Sequence, residues 1–206
     1  MTFVYAIGFA SFLLVLWLAN GVRRIGAVSQ GEKIGNRDGS ALLLIDLQTI
    51  FWDSGTYAAA AKDAAQTAIL NEVQAARAQG RPVIAVRQEW SIPSTKAIAR
   101  LAMKGQAIAG SAGTDLAKPF ASLADHVLVK PVQDAFVTGE LDALLARLNI
   151  GTLVIAGLDF NYCVQKTALA ARNRGYEVTV LKSGSLASAP TEEAEKRMCE
   201  AGIVIR

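Results

Sequence analysis

From residue 41 onward the chain alternates short apolar runs with longer stretches of helical composition, and few folds accommodate that rhythm. The runs are ALLLID, PVIAVRQ, HVLVK, TLVIAG, YEVTVL and GIVIR, rich in β-branched residues, as strands covered on both faces must be. Between them, TYAAAAKDAAQTAILNEVQAARAQG stops at Gly80 with Pro82 beyond it, GELDALLARLNIG stops at Gly151, and CVQKTALAARNRG stops at Gly175. Thr191 is expected to cap a last helix, with Glu192 and Glu193 well placed in its first turn. Strand–helix alternation of this kind implies an α/β fold, a parallel sheet with helices on both faces in three α/β/α layers. At 206 residues and 52% hydrophobic, the chain can bury one core, so a single globular domain is expected.

In an open α/β sheet, ligands bind beyond the carboxyl ends of the strands. Asp46, Lys130 and Cys163 each stand where a predicted strand runs out, so an acid, a cation and a thiol are directed to one crevice. Cys163 also opens an alanine-rich helix, where backbone N–H groups and the helix dipole favour a thiolate. Taken alone, a cysteine there would more often be inert packing; the two charged strand ends tip the reading toward chemistry. Cys199, inside TEEAEKRMCEAG, reads as ordinary packing. The connection WSIPSTKAIARLAMKGQAIAGSAGTDLAKPFASLAD between the second and third strands is long, with only partial helical periodicity, as binding loops often are. DLQTIFWDSG follows the first strand where a dinucleotide fold would have a glycine-rich phosphate loop.

Several functions are excluded by what the chain lacks. The net charge is +3 with basic residues scattered, so no nucleic-acid-binding stripe exists. Two cysteines make no disulfide framework. The single histidine, His126, precedes VLVK at the amino end of its strand, on the edge away from the crevice. A Ser-His or Cys-His dyad and a histidine-rich zinc site are therefore not expected.

The amino terminus differs in kind. FVYAIGFASFLLVLWLA carries no charge, and the first charged side chain is Arg23. A cleaved signal peptide would want a positive region before the apolar run, and an all-round apolar helix on a polar linker makes a poor core element. A membrane anchor over residues 1–22 fits best. Arg23, Arg24, Lys33 and Arg37 on its C-terminal side place the following domain in the cytoplasm, in a single-pass arrangement. Residues 23–39, rich in Gly, Ser and charge, read as a flexible tether to a domain spanning residues 40–206.

Four segments, LLLIDLQTIFWDSG, GSAGTDL, VLVKPVQDAF and AGLDFNYCVQKTALAARNRGYEV, resemble the isochorismatase-like cysteine hydrolases, a family that includes nicotinamidases and N-carbamoylsarcosine amidases. The resemblance implies a six-stranded sheet of order 3-2-1-4-5-6. It implies a triad of Asp46 as general base, Lys130 and the nucleophile Cys163, with Asp46 and Cys163 on adjacent strands and Lys130 reaching in from farther out. It further implies a cis peptide bond between Leu158 and Asp159, with the Asp159 and Cys163 amides as the oxyanion hole. The family commonly has a small residue where Asp159 stands, and an acid there must point away. Nicotinamidases hold zinc through an aspartate and histidines near the end of the second strand; RQEWSIPS has no histidine, which points to a metal-free branch without a cofactor. Glu89 and Trp90 would occupy that part of the pocket, with Gln48, Phe51 and Phe136 as further substrate contacts.

The expected activity is hydrolysis of a small amide or ureido compound through a thioester. The alternatives are vinyl-ether hydrolysis of the isochorismatase type, against which Cys163 speaks, and a catalytically degenerate, membrane-tethered binding domain. Substrate specificity is expected from the long second connection and, in a homo-oligomer, from a subunit contact.

Overall fold

The six apolar runs pair, in the computed structural model, as one parallel sheet of order β3-β2-β1-β4-β5-β6; the structure describes residues 2–54 and 56–206. The strands are β1 (Gly39–Ile45), β2 (Val83–Gln88), β3 (His126–Lys130), β4 (Ile150–Gly157), β5 (Glu177–Ser185) and β6 (Val204–Ile205). Successive β1 residues point to opposite faces, and both faces are apolar. Ala41, Leu43 and Ile45 join one core with Leu145, Val164 and Ala168, while Leu42 and Leu44 join another with Ile69 and Val73. The helices supplying those covers are α3 (Ala59–Ala78), α5 (Glu140–Arg147) and α6 (Gln165–Arg174), with a short α2 (Thr49–Trp52) after β1 and α7 (Glu192–Glu200) before β6. β1 and β4 lie side by side in the middle, in register from Ala41 on Leu153 to Ile45 on Gly157.

Two helix ends differ from expectation. α5 stops at Arg147 rather than running to Gly151, because Asn149 turns the chain with a left-handed φ of 55°, leaving Gly151 inside β4. Thr191 occupies the N-cap position of α7 but caps no backbone N–H; its hydroxyl instead hydrogen-bonds the Glu195 side chain.

The long connection after β2 contains α4 (Pro93–Ala102), started by Pro93 in its first turn. Its remainder folds back over the carboxyl ends of β1 and β2. Trp90 N–H donates to Ala107 O at 2.7 Å, Ile50 N–H to Gly113 O at 2.9 Å and Ala117 N–H to Leu47 O at 2.8 Å.

At the amino terminus a 25-residue helix, α1, spans Thr2–Gly26. Its stretch Ile7–Gly26, with mean hydropathy 1.2 and 6% buried, is long and apolar enough to cross a membrane. Large apolar side chains such as Phe9, Phe12 and Leu14 are exposed along it. The root is docked. Ile25 joins a small cluster with Trp90, Ala99 and Ala107, and α1 crosses α4 closely at Gly21, where a Cβ would come within 3.0 Å of Ser94 Cβ.

The segment after α1, expected as a flexible tether, has no regular structure but lies hydrogen-bonded along the domain. Ser29 N–H donates to Asp134 Oδ2 at 2.7 Å, Ile34 N–H to Arg174 O at 2.8 Å, and the Arg174 guanidinium reaches the carbonyls of Ser29 and Gln30. Buried backbone donors and acceptors must find partners, and here the domain supplies them.

Candidate active site

Asp46 directly follows β1, Lys130 ends β3, and Cys163 lies six residues beyond the end of β4. The order of the sheet brings all three to one edge. Asp46 takes a left-handed φ of 52°, a conformation that Asp tolerates better than most residues and that concentrates at functional sites. Gly157 makes the neighbouring turn possible. Its φ is 130°, and any Cβ there would fall 2.1 Å from Ile45 O, so the backbone of β4 passes against the end of β1 and delivers the next residues beside Asp46. Cys163 then sits in a single π-helical turn, Phe160–Val164, that leads into α6. Cys163 therefore lies in the turn ahead of the regular helix, two residues before its first residue.

Lys130 crosses the end of β2 to reach the centre. It is 0% exposed, and its Nζ donates to Asp46 Oδ2 at 2.9 Å, Gln88 Oε1 at 2.6 Å and Val132 O at 3.3 Å, with Cys163 Sγ at 3.3 Å. Asp46 Oδ1 is buried with no hydrogen-bond partner. Burial raises the Asp46 carboxyl above the usual carboxylate range, opposed by Lys130. Burial also pushes the Cys163 thiol up, with Asp46 adding to the rise and Lys130 opposing it. For Lys130, burial alone would lower the ammonium, but Asp46 and Cys163 outweigh it and the group is raised. Desolvation in so dry a position thus opposes the thiolate that the helix dipole alone would favour.

Asp46 and Cys163 form part of the wall of a cavity of about 400 Å³, within the range of small-molecule sites. Of the expected substrate contacts, Phe51 and Trp90 line it. The other three do not. Gln48 is fully buried behind the site: its carboxamide accepts from Gln88 N at 2.6 Å and donates to Gln88 O at 3.0 Å and Thr114 O at 2.7 Å, clamping β2 and the long connection to β1. Glu89 turns to Arg87, 3.4 Å away, since alternate residues of a strand face opposite sides. Phe136 is core, packed on Tyr176 and under the Arg174 guanidinium at 4.6 Å.

The peptide bond between Leu158 and Asp159 is trans, as are all bonds among the described residues, the ordinary state for a bond not preceding proline. The Asp159 carboxylate does not aim at Cys163. It accepts from Asn161 N at 2.8 Å, Ser188 N at 2.7 Å and Tyr57 Oη at 3.2 Å, so it caps the π turn and ties it to two neighbouring loops. Burial and the Asp159 carboxylate both raise the Tyr57 phenol, which stays protonated.

Gln88 and Tyr57 escaped the sequence reading. For Gln88 a signal existed: it is the polar last residue of a buried strand, at the edge where ligands bind. For Tyr57, in a polar turn before α3, there was none. Cys199, expected to pack, is exposed on α7, where Met198 is the residue turned inward.

No group of three or more His, Cys, Asp and Glu side chains suited to a metal occurs among the described residues. At the end of β2, Gln88 is bonded to Lys130 and Glu89 is paired with Arg87. The donors present do not fit the zinc site of nicotinamidases.

A family model for the isochorismatase domain matches residues 40–201. The uncharacterized isochorismatase family protein YaaI of Bacillus subtilis (strain 168) is 29% identical over 157 residues, covering 75% of this chain and 84% of that protein. Among solved structures, an isochorismatase family protein from Desulfovibrio vulgaris subsp. vulgaris str. Hildenborough superimposes with a TM-score of 0.70 at 28% identity, over 82% of this chain and 94% of that one. The N-carbamoylsarcosine amidase from Thermoplasma acidophilum gives a TM-score of 0.70 at 23% identity, over 82% and 96%, a likeness of fold.

Proposed function

Because the chain belongs to the isochorismatase family, a family of hydrolases, we propose that it hydrolyses a small amide or ureido compound through a thioester on Cys163. One observation carries this reading: the buried Lys130 Nζ stands 2.9 Å from Asp46 Oδ2 and 3.3 Å from Cys163 Sγ at a cavity of small-molecule size. The N-carbamoylsarcosine amidase among the fold's neighbours is consistent with carbon–nitrogen bond cleavage.

In this mechanism Asp46, made more basic by burial, takes the thiol proton through its unpartnered Oδ1 as Sγ attacks the carbonyl. Lys130 holds carboxylate and sulfur in place and stabilises the thiolate as it forms. The amides of Asp159 and Cys163 are the donors for the oxyanion. Their neighbours are otherwise engaged: Phe160 N–H on Leu186 O, and Tyr162 and Val164 N–H on Asp159 O. Protonated Asp46 returns the proton to the departing nitrogen, then deprotonates the water that cleaves the thioester. Gln88 orients Lys130 and belongs to the machinery as a positioning residue.

A panel of small amides and ureas, assayed for released ammonia or amine with parent protein and Cys163→Ser, tests the proposal. Turnover by the serine variant at the parent rate would sink it. No metal has a part in this scheme, so activity is expected to survive exhaustive chelation. Loss on chelation with recovery on adding zinc would overturn the metal-free scheme.

The domain is further proposed to be held at a membrane by α1, with its site on the cytoplasmic side. α1 is 25 residues long, about 37 Å of helix, enough to cross one hydrocarbon thickness while its docked root stays outside the bilayer. Arg23 and Arg24 in its last turn fix the direction, and a cytoplasmic site keeps the thiol reduced. Full-length protein is expected to stay with membranes through a high-salt wash, and protease added to intact cells is expected to spare it. A shortened, soluble chain recovered outside the cytoplasm would overturn the topology.

A further inference from the structure

We infer that the site takes an uncharged amide or urea and rejects those carrying a carboxylate; this rests on the amide-hydrolase reading above. Among the described residues no lysine or arginine lines the cavity. The ionisable side chains that do are Asp46, Asp159, Cys163 and the phenols of Tyr57 and Tyr162. The Asp46 charge is matched by Lys130 at 2.9 Å, whose ammonium is otherwise surrounded by Gln88 Oε1, Val132 O and the sulfur. That cation is spent inside the triad and lies behind the cavity wall.

Asp159 is not matched. Its three hydrogen-bond donors, Tyr57 Oη, Asn161 N and Ser188 N, are all neutral, and among the described residues no cation pairs with it. Three donors converging on one carboxyl group are the environment of an ionised acceptor. The cavity therefore carries one uncompensated negative charge beside the sulfur-bearing turn. The rest of its wall is apolar or neutral: Phe51, Trp90, Met103 and Leu158, with the carboxamides of Gln106 and Gln133.

An entering carboxylate would lose its hydration there with no cation to meet it and a like charge on the wall. A neutral amide meets aromatic faces and carboxamides, which suit a planar, uncharged group. The same feature weighs against a dicarboxylate such as isochorismate. Binding of an anion by charge is excluded; an uncharged amide is held by shape and apolar contact.

Iodoacetamide and iodoacetate test this whatever the substrate, being nearly isosteric and differing by one charge. The two are applied separately to full-length protein at neutral pH and low salt, with labelling of each cysteine followed by mass spectrometry. The rate ratio of amide to acid at Cys163 is expected to exceed that at the exposed Cys199, and that of N-acetylcysteine amide, by about tenfold or more, as like-charge repulsion at close range in a partly dry site implies. Asp159→Asn is expected to bring the Cys163 ratio down toward the reference. A parent ratio equal to the reference, or a preference of Cys163 for iodoacetate, overturns the inference. The outcome is separable from the amidase reading, which stands or falls on turnover by Cys163→Ser.

Discussion

Cys163→Ser is expected to reduce turnover of any amide substrate by about 10⁴-fold or more, the scale seen when a nucleophile is removed from a covalent mechanism. The magnitude follows from the base. Asp46 is a carboxylate raised by burial, matched to a thiol far better than to an alcohol. In the serine variant the same Asp46 and Lys130 would face a hydroxyl they cannot ionise. Intact-mass measurement during turnover by the parent should show an acyl adduct absent from the variant. An adduct in the variant, or full turnover without one in the parent, would refute covalent catalysis at this residue.

Lys130→Met is expected to destabilise the fold by roughly 3–5 kcal/mol, because it strands a buried carboxylate. Asp46 is 2% exposed, and Lys130 is the cation paired with it. The pH dependence has a definite sign. Without Lys130 the strongest opponent of the burial that already raises Asp46 is gone, so the folded variant shifts further toward the protonated acid. A group raised on folding contributes stability below its unfolded pKa and loses it as pH rises through the folded value. The deficit relative to parent should therefore shrink in acid. Lys130→Met with Asp46→Asn should recover much of the stability and none of the activity, since a neutral pair no longer buries a lone charge. Urea unfolding of the full chain in detergent, followed by tryptophan fluorescence, reads all three proteins. A single variant as stable as parent at neutral pH would mean the ion pair is not buried as described.

The strands were legible because each run is locally apolar, whereas their order in the sheet was implied by the resemblance of four segments to a known family and not by the runs themselves. That Asp46, Lys130 and Cys163 share an edge was legible because all three are tied to strand ends, and the sheet converts position along a strand into position in space. Gln48 illustrates the limit. Its place two residues after Asp46 suggests a ligand contact, yet whether a side chain at that point faces the cavity or the backbone of β2 depends on a segment folding back from residue 114.

The sequence by itself determined the alternation of strand and helix, the edge of the sheet on which acid, lysine and thiol meet, and an amino-terminal helix of membrane-spanning length. These depend on composition and on periodicity over a few residues. Tertiary structure alone decided that Gln88 rather than Glu89 turns to Lys130, that Phe136 packs in the core, and that the Asp159 carboxylate is held by Tyr57 and Ser188. It also decided that the segment after α1 lies against the domain. Each of these is a choice among long-range partners of similar chemistry, and the choice is made by packing between residues far apart in the chain, which local pattern does not encode.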